Sequence, residues 1–148
     1  MTRDWIFVPV IVQVLMTLLI YVRLIKVKVR ELKAGKVDMA RRGLHEDAWG
    51  ESVLQINNNI RNQFELPVLF YVMCAILWAL DSVHGLAMAA ASIFVLSRIA
   101  HAMIHLGSNY IPNRRRSFTV GWWVLVVMAL LIAWELVRRA AGYGPIYS

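Results

Sequence analysis

Four long apolar runs, with few residues between them, decide what this chain can fold into. They extend from Trp5 to Val22, Leu66 to Leu80, Leu86 to Leu106 and Phe118 to Val137. The first is broken only by Pro9, Gln13 and Thr17. Crossing a hydrocarbon core of about 30 Å takes roughly 20 helical residues. Each run suffices, provided the second helix begins upstream of Leu66 in a polar stretch. None shows strand alternation, and their lengths exclude barrel strands. Hydrophobic residues make up 59% of the chain and charged residues 17%, whereas a soluble domain carries about 45–50% and roughly 25%. The expected fold is therefore all-α: one integral membrane domain over residues 1–148, a bundle of four transmembrane helices. Its spans fall at about 5–22, 66–80 with a helix extending upstream, 86–106 and 118–137. No small-residue cleavage signal follows the first run, so it reads as a retained span. Cys74 is the only cysteine, which excludes an intramolecular disulfide and a multi-cysteine zinc site.

Sixteen Lys and Arg against nine Asp and Glu give a net charge of +7. In a soluble protein that balance would suggest nucleic acid; here no nucleic-acid partner is expected, and the position of the charges matters more. The stretch from Arg23 to Arg61 holds nine basic residues, the connection from Asp81 to Gly85 none, and the third connection Arg114, Arg115 and Arg116. Only Arg3, Arg138 and Arg139 fall on the other side. The positive-inside bias makes the first and third connections cytoplasmic and puts both termini outside. Trp5, Trp78 and Trp134 then mark the outer interface, and Tyr21, Trp122 and Trp123 the inner one. Setting topology and meeting anionic membrane lipid accounts for the basic residues from Arg23 to Arg42 without further function.

Two polar faces ask for more. Before Pro67, at about 100° per residue, Gln55, Asn58, Arg61, Asn62 and Glu65 share one arc of a helix. Glu65 lies four residues after Arg61, a spacing at which the two can pair. Pro67 cannot donate to the carbonyl of Gln63 and is expected to kink the helix, leaving a free acceptor. In the third span Arg98, His101, His105 and Asn109 fall within an arc of about 80°. An arginine inside a span costs from about 2.5 kcal/mol upward, so such residues face a bundle interior or a wet cavity. Near the cytoplasmic end, snorkelling relieves part of that cost. The two faces are expected to turn toward each other or toward a neighbouring subunit, with Glu65 as the partner of Arg98. A solvated helix end and a structural ion pair are the plainer readings of the same residues.

Other chemistry finds little support. His101 and His105 stand at i and i+4 and could share one metal, but they cannot be opposed axial ligands of one haem, and no carboxylate on that helix completes a site. No metal is expected. Cys74 reads as a small apolar residue and Trp122-Trp123 as an interfacial anchor. Neither a phosphate loop nor a nucleophile elbow is present.

The segment Asn62-Gln-Phe-Glu65-Leu-Pro67-Val-Leu-Phe, set in this layout, resembles the MAPEG family, the membrane-associated proteins of eicosanoid and glutathione metabolism. That family has four membrane helices, a large basic first loop, and a second helix bearing R-x-x-x-N-x-x-E followed closely by proline. Asn62 and Glu65 match the N-x-x-E part, whereas Asn58 stands at the arginine position. Pro67 follows the glutamate by two residues, where catalytic members more often have three. By span layout the resemblance covers about residues 5–138.

The resemblance implies a homotrimer with glutathione as co-substrate at the cytoplasmic end of subunit interfaces, in a divergent bacterial-type member of the inner (plasma) membrane. Several glutathione-using members place tyrosines one and two turns after an arginine of the third helix; the matching register here holds His101 and His105 after Arg98. The arginine that stabilises the glutathione thiolate lies further on in those members, where Arg114, Arg115 or Arg116 stands, with Pro112 disturbing the register. The expected catalytic residues are thus Arg98, Arg114, Arg115 and Arg116, and the expected glutathione contacts Asn58, Arg61, Asn62, Glu65, His101 and His105. Arginines suit the tripeptide's carboxylates, a glutamate its ammonium, and a cationic surround favours the thiolate. The apolar side of such a cleft would admit a small lipophilic electrophile. Three functions compete: a glutathione-dependent transferase or peroxidase; a catalytically silent MAPEG-fold protein binding a thiol or lipid, which Asn58 favours; and a small proton-coupled exporter, which the lack of an acid in the first span disfavours.

Overall fold

A computed structural model describes residues 2–143. A 3₁₀ turn at Arg3–Ile6 leads into α1 (Phe7–Lys33), followed by α2 (Glu51–Gln63), α3 (Leu66–Ala79), α4 (Gly85–Leu106) and α5 (Ile111–Ala140). Four stretches are long and apolar enough to cross a membrane: Arg3–Lys33, Glu51–Ala79, Gly85–Leu106 and Ile111–Ala140. The chain is an all-α integral membrane protein, and the described residues contain no strand.

The second crossing is built from two helices. Phe64 and Glu65 separate α2 from α3, with Glu65 at φ −97° and ψ −99°. Pro67 sits in the first turn of α3, where its missing N–H and fixed φ do no harm. The expected kink is thus a complete break. The carbonyl that it offers to a side chain is that of Asn62, not Gln63. A second correction concerns Asn109: α4 stops at Leu106, and Asn109 takes φ 52° beyond it, so it leaves the helical face assigned to it.

Successive crossings run antiparallel. At one end Trp78 Nε1 donates to Asp4 at 2.8 Å, Arg3 pairs with Asp81 and lies over the Trp78 ring, and Arg139 donates to the carbonyl of Leu80. At the other end Arg23 Nη2 donates to the Leu106 carbonyl at 2.9 Å, and Gln55 Nε2 to that of His105 at 2.5 Å. The two ends of the described residues and the second connection therefore share one end of the bundle; the two basic connections share the other. The first connection is fastened to the bundle. Glu31 accepts the Gly50 N–H at 2.9 Å, and Lys28 lies over the Trp49 ring. Arg41 holds Asp47 at 2.9 Å, and that hydrogen bond keeps the Asp47 carboxyl below its ordinary range.

The core falls into two apolar regions. One joins α3, α4 and α5 through Phe70, Phe94, Leu77, Met128 and Leu125, with Phe70 stacked on Phe94 at 4.4 Å. The other joins α1, α2 and α4 through Ile20, Leu24, Val53, Ile56 and Ala102. Lipid tails are as apolar as these side chains, so close packing and polar contacts must hold the helices together. Ala87, Ala90 and Ala91 keep α4 slim, and Gly121 lets α5 approach it: a Cβ there would stand 2.9 Å from Ser97 Oγ.

Candidate functional site

The break between α2 and α3 places polar groups within the bundle. Arg98 on α4 is fully buried and donates from Nη2 to the Asn62 carbonyl at 3.0 Å. In an intact helix that carbonyl would accept from the N–H four residues on; the break frees it. The Arg98 guanidinium also lies 5.6 Å from the Phe118 ring centre. Its Nε and Nη1 have no hydrogen-bond partner among the described residues.

One turn on, His101 Nδ1 lies 3.0 Å from the carbonyl of Arg114. A carbonyl only accepts, so Nδ1 carries the proton of this bond, and when the ring is neutral Nε2 holds its lone pair. His101 is 3% exposed and Nε2 is unpartnered among the described residues. His105 packs edge-to-face on His101 at 5.7 Å, and its Nδ1 lies 3.5 Å from the Asn62 amide nitrogen. Arg114 is fixed by Asn109 Oδ1 at 2.8 Å. Beside these groups lies a cleft of about 280 Å³, lined by Asn62, His101, Ile111, Arg114, Arg115 and Phe118.

Of the residues singled out in the sequence, Asn62, Arg98, His101, His105, Arg114 and Arg115 come together here. Four do not. Asn58 and Arg61 are exposed and bond to each other at 3.3 Å. Arg61 pairs with Glu46 at 2.5 Å, not with Glu65. Glu65 is also exposed, and no ion pair reaches it among the described residues. The expected Glu65–Arg98 pair is therefore replaced by a backbone contact. Arg116 is exposed and lines a separate apolar depression with Arg115, Ile111 and Val120, which splits the arginine cluster.

Sequence reasoning missed a buried polar ladder. Gln13 Nε2 donates to Gln63 Oε1 at 2.8 Å, and Gln63 Nε2 donates to Asn59 Oδ1 at 3.1 Å. All three side chains are essentially unexposed. The signal was present: Pro9, Gln13 and Thr17 recur every fourth residue, which puts them on one helical face. That face is buried.

Fold and cleft together define a four-crossing membrane protein with a cationic, histidine-bearing site at the end where its basic connections meet. Residues 6–134 match the model of the MAPEG family, and the chain belongs to that family. No curated protein and no solved structure matches it.

Proposed function

We propose that this MAPEG protein is a glutathione-dependent transferase or peroxidase acting on small lipophilic compounds. We place it as a homotrimer in a bacterial inner membrane, with the basic end in the cytoplasm. The observation that carries the reading is the buried His101, whose Nδ1 is turned to the Arg114 carbonyl and whose Nε2 has no partner among the described residues, on the wall of a cleft that Arg114 and Arg115 also line. Such a nitrogen takes the proton of a thiol, and Arg114 and Arg115 offset the carboxylates and the thiolate left behind. Arg98 below them adds a fixed positive charge while holding the α2–α3 break in register. Ile111 and Phe118 give the cleft an apolar wall for the electrophile.

The fit within one chain is incomplete. The cleft supplies cations, yet Glu65, the carboxylate suited to an ammonium, does not line it. A neighbouring subunit at this face would complete the site, which supports an assembly. The silent-binder reading draws on Asn58, which stands at the motif's arginine position and is exposed away from the cleft.

Isothermal titration of glutathione into the reconstituted protein tests the reading. Saturable binding is expected, weakened roughly tenfold or more by Arg115→Gln, the scale of one charge-assisted hydrogen bond. No heat and no competition at millimolar glutathione would overturn it. Binding without turnover of any lipophilic electrophile or hydroperoxide would favour the silent binder.

A further inference from the structure

Arg23 stands where two cavities meet, and neither shares a residue with the cleft. The first is a groove of about 460 Å³ between α1 and α4, walled by Met16, Leu19, Ile20, Ile99 and Met103. Among the described residues Arg23 is the only charged side chain lining it. Its rims are open: Leu19 is 68% exposed and Met103 70%. From Met16 to Arg23 the groove follows α1 for about 10 Å, at 1.5 Å per residue. The second cavity, of about 380 Å³, continues from Arg23 toward the basic end between α1 and α2. It adds Arg30, Lys36, Ser52 and Gln55, together with the carboxylate of Glu31.

The charges there favour an anion. Three cations face one acid, and Glu31 already accepts the Gly50 N–H at 2.9 Å. The C-terminal end of α4, which would repel an anion, is capped by Arg23 on the Leu106 carbonyl and by Gln55 on that of His105. Arg23 uses only Nη2 in this bond, and a guanidinium presents a fork of donors well matched to phosphate oxygens. An apolar groove at membrane depth leading into a cationic, hydroxyl-bearing pocket has the polarity sequence of an amphiphile.

We propose that this composite groove is a binding site for one anionic phospholipid. One acyl chain lies between α1 and α4, the phosphate sits at Arg23 with Arg30 and Lys36 around it, and Ser52 faces the headgroup hydroxyls. A zwitterionic headgroup brings its own ammonium among these cations and fits less well. The site does not depend on any thiol chemistry at the cleft.

Native mass spectrometry of the detergent-solubilised protein, titrated with phosphatidylglycerol or phosphatidylcholine, tests the proposal. One phosphatidylglycerol per chain is expected, bound roughly fivefold or more tightly than phosphatidylcholine, as one basic contact at a membrane surface would give. Arg23→Gln should abolish the preference and Arg23→Lys should retain part of it. Met103→Trp, at an exposed rim, should weaken both lipids, whereas Lys26→Gln, an equal charge loss outside the cavities, should change neither. Soluble glycerol phosphate should not displace the lipid. Equal binding of the two lipids, or equal effects of Arg23→Gln and Lys26→Gln, would reduce the site to general surface attraction and overturn it. Displacement by glycerol phosphate without any effect of Met103→Trp would show an anion pocket with no lipid groove, and would overturn it too.

Discussion

A buried guanidinium held by a main-chain carbonyl is the residue-level centre of this molecule. Patterns of side chains suggest Glu65 as the partner of Arg98; the partner is Asn62 O, at 3.0 Å, because the break before Pro67 leaves that carbonyl without a helical donor. No list of side chains reveals such an acceptor. Beside Arg98, His101 has an observed packing and hydrogen-bonding role and a proposed one as a base. Its ring packs against His105 and Phe118, and its Nδ1–H holds the Arg114 carbonyl. Its Nε2 is the proposed base. His101→Phe keeps the ring and removes both nitrogens. Stability should fall by only about 1 kcal/mol, the worth of one hydrogen bond. Turnover should fall by about 10²–10⁴-fold, the scale of general acid–base catalysis, with glutathione affinity nearly unchanged. Equal losses in affinity and turnover would make His101 a binding residue only.

Among the elements, the α2–α3 pair shows why its two pieces stay in line across the break. Gln63, the last residue of α2, is bonded from one side by Gln13 of α1 and from the other to Asn59 of its own helix. Hydrogen bonds between membrane helices average about 0.6 kcal/mol and reach about 1.7. Gln63→Leu, which breaks one bond between helices and one within α2 and leaves buried amides behind, should lower the unfolding free energy by roughly 1–2 kcal/mol in detergent titrations. Adding Gln13→Leu should cost less than the sum of the two single changes, since they share one contact. Full additivity would show that the ladder is not coupled. The crossings themselves were legible, because an apolar run of span length admits one structure in a membrane. Helix ends were less so: α1 continues through a basic segment to Lys33, and α5 starts at Ile111 under Pro112. In the site, the register of Arg98, His101 and His105 was readable from spacing. The scattering of Asn58, Arg61 and Glu65 was not, because Glu46 in the distant first connection takes Arg61.

At the scale of the whole molecule, charge and geometry support one topology. The sparsely charged end holds three basic residues, Arg3, Arg138 and Arg139, against twelve in the first and third connections, and the positive-inside bias counts lysine and arginine rather than net charge. Cysteines introduced at Lys33 and Asn113 should resist a membrane-impermeant thiol reagent applied to intact cells. One at Gly85, which is exposed with nothing within 4 Å of its Cβ, should react. Native Cys74 is buried and should stay silent. Labelling at Lys33 in intact cells would put the cleft in the wrong compartment. Among the described residues no carboxylate lines the cleft, and the proposed homotrimer would supply one from a neighbour; native mass spectrometry should then find three chains together, and a monomer as the sole species would leave the proposed site unfinished. The most direct test of the central claim, that this cleft makes a glutathione thiolate, is ultraviolet difference absorbance on adding glutathione to the reconstituted protein at neutral pH. A free thiol with a pKa near 8.5 is mostly protonated there. The account predicts a saturable thiolate band that is lost with His101→Phe and reduced with Arg114→Gln. Glutathione that binds without any thiolate band at neutral pH would contradict it.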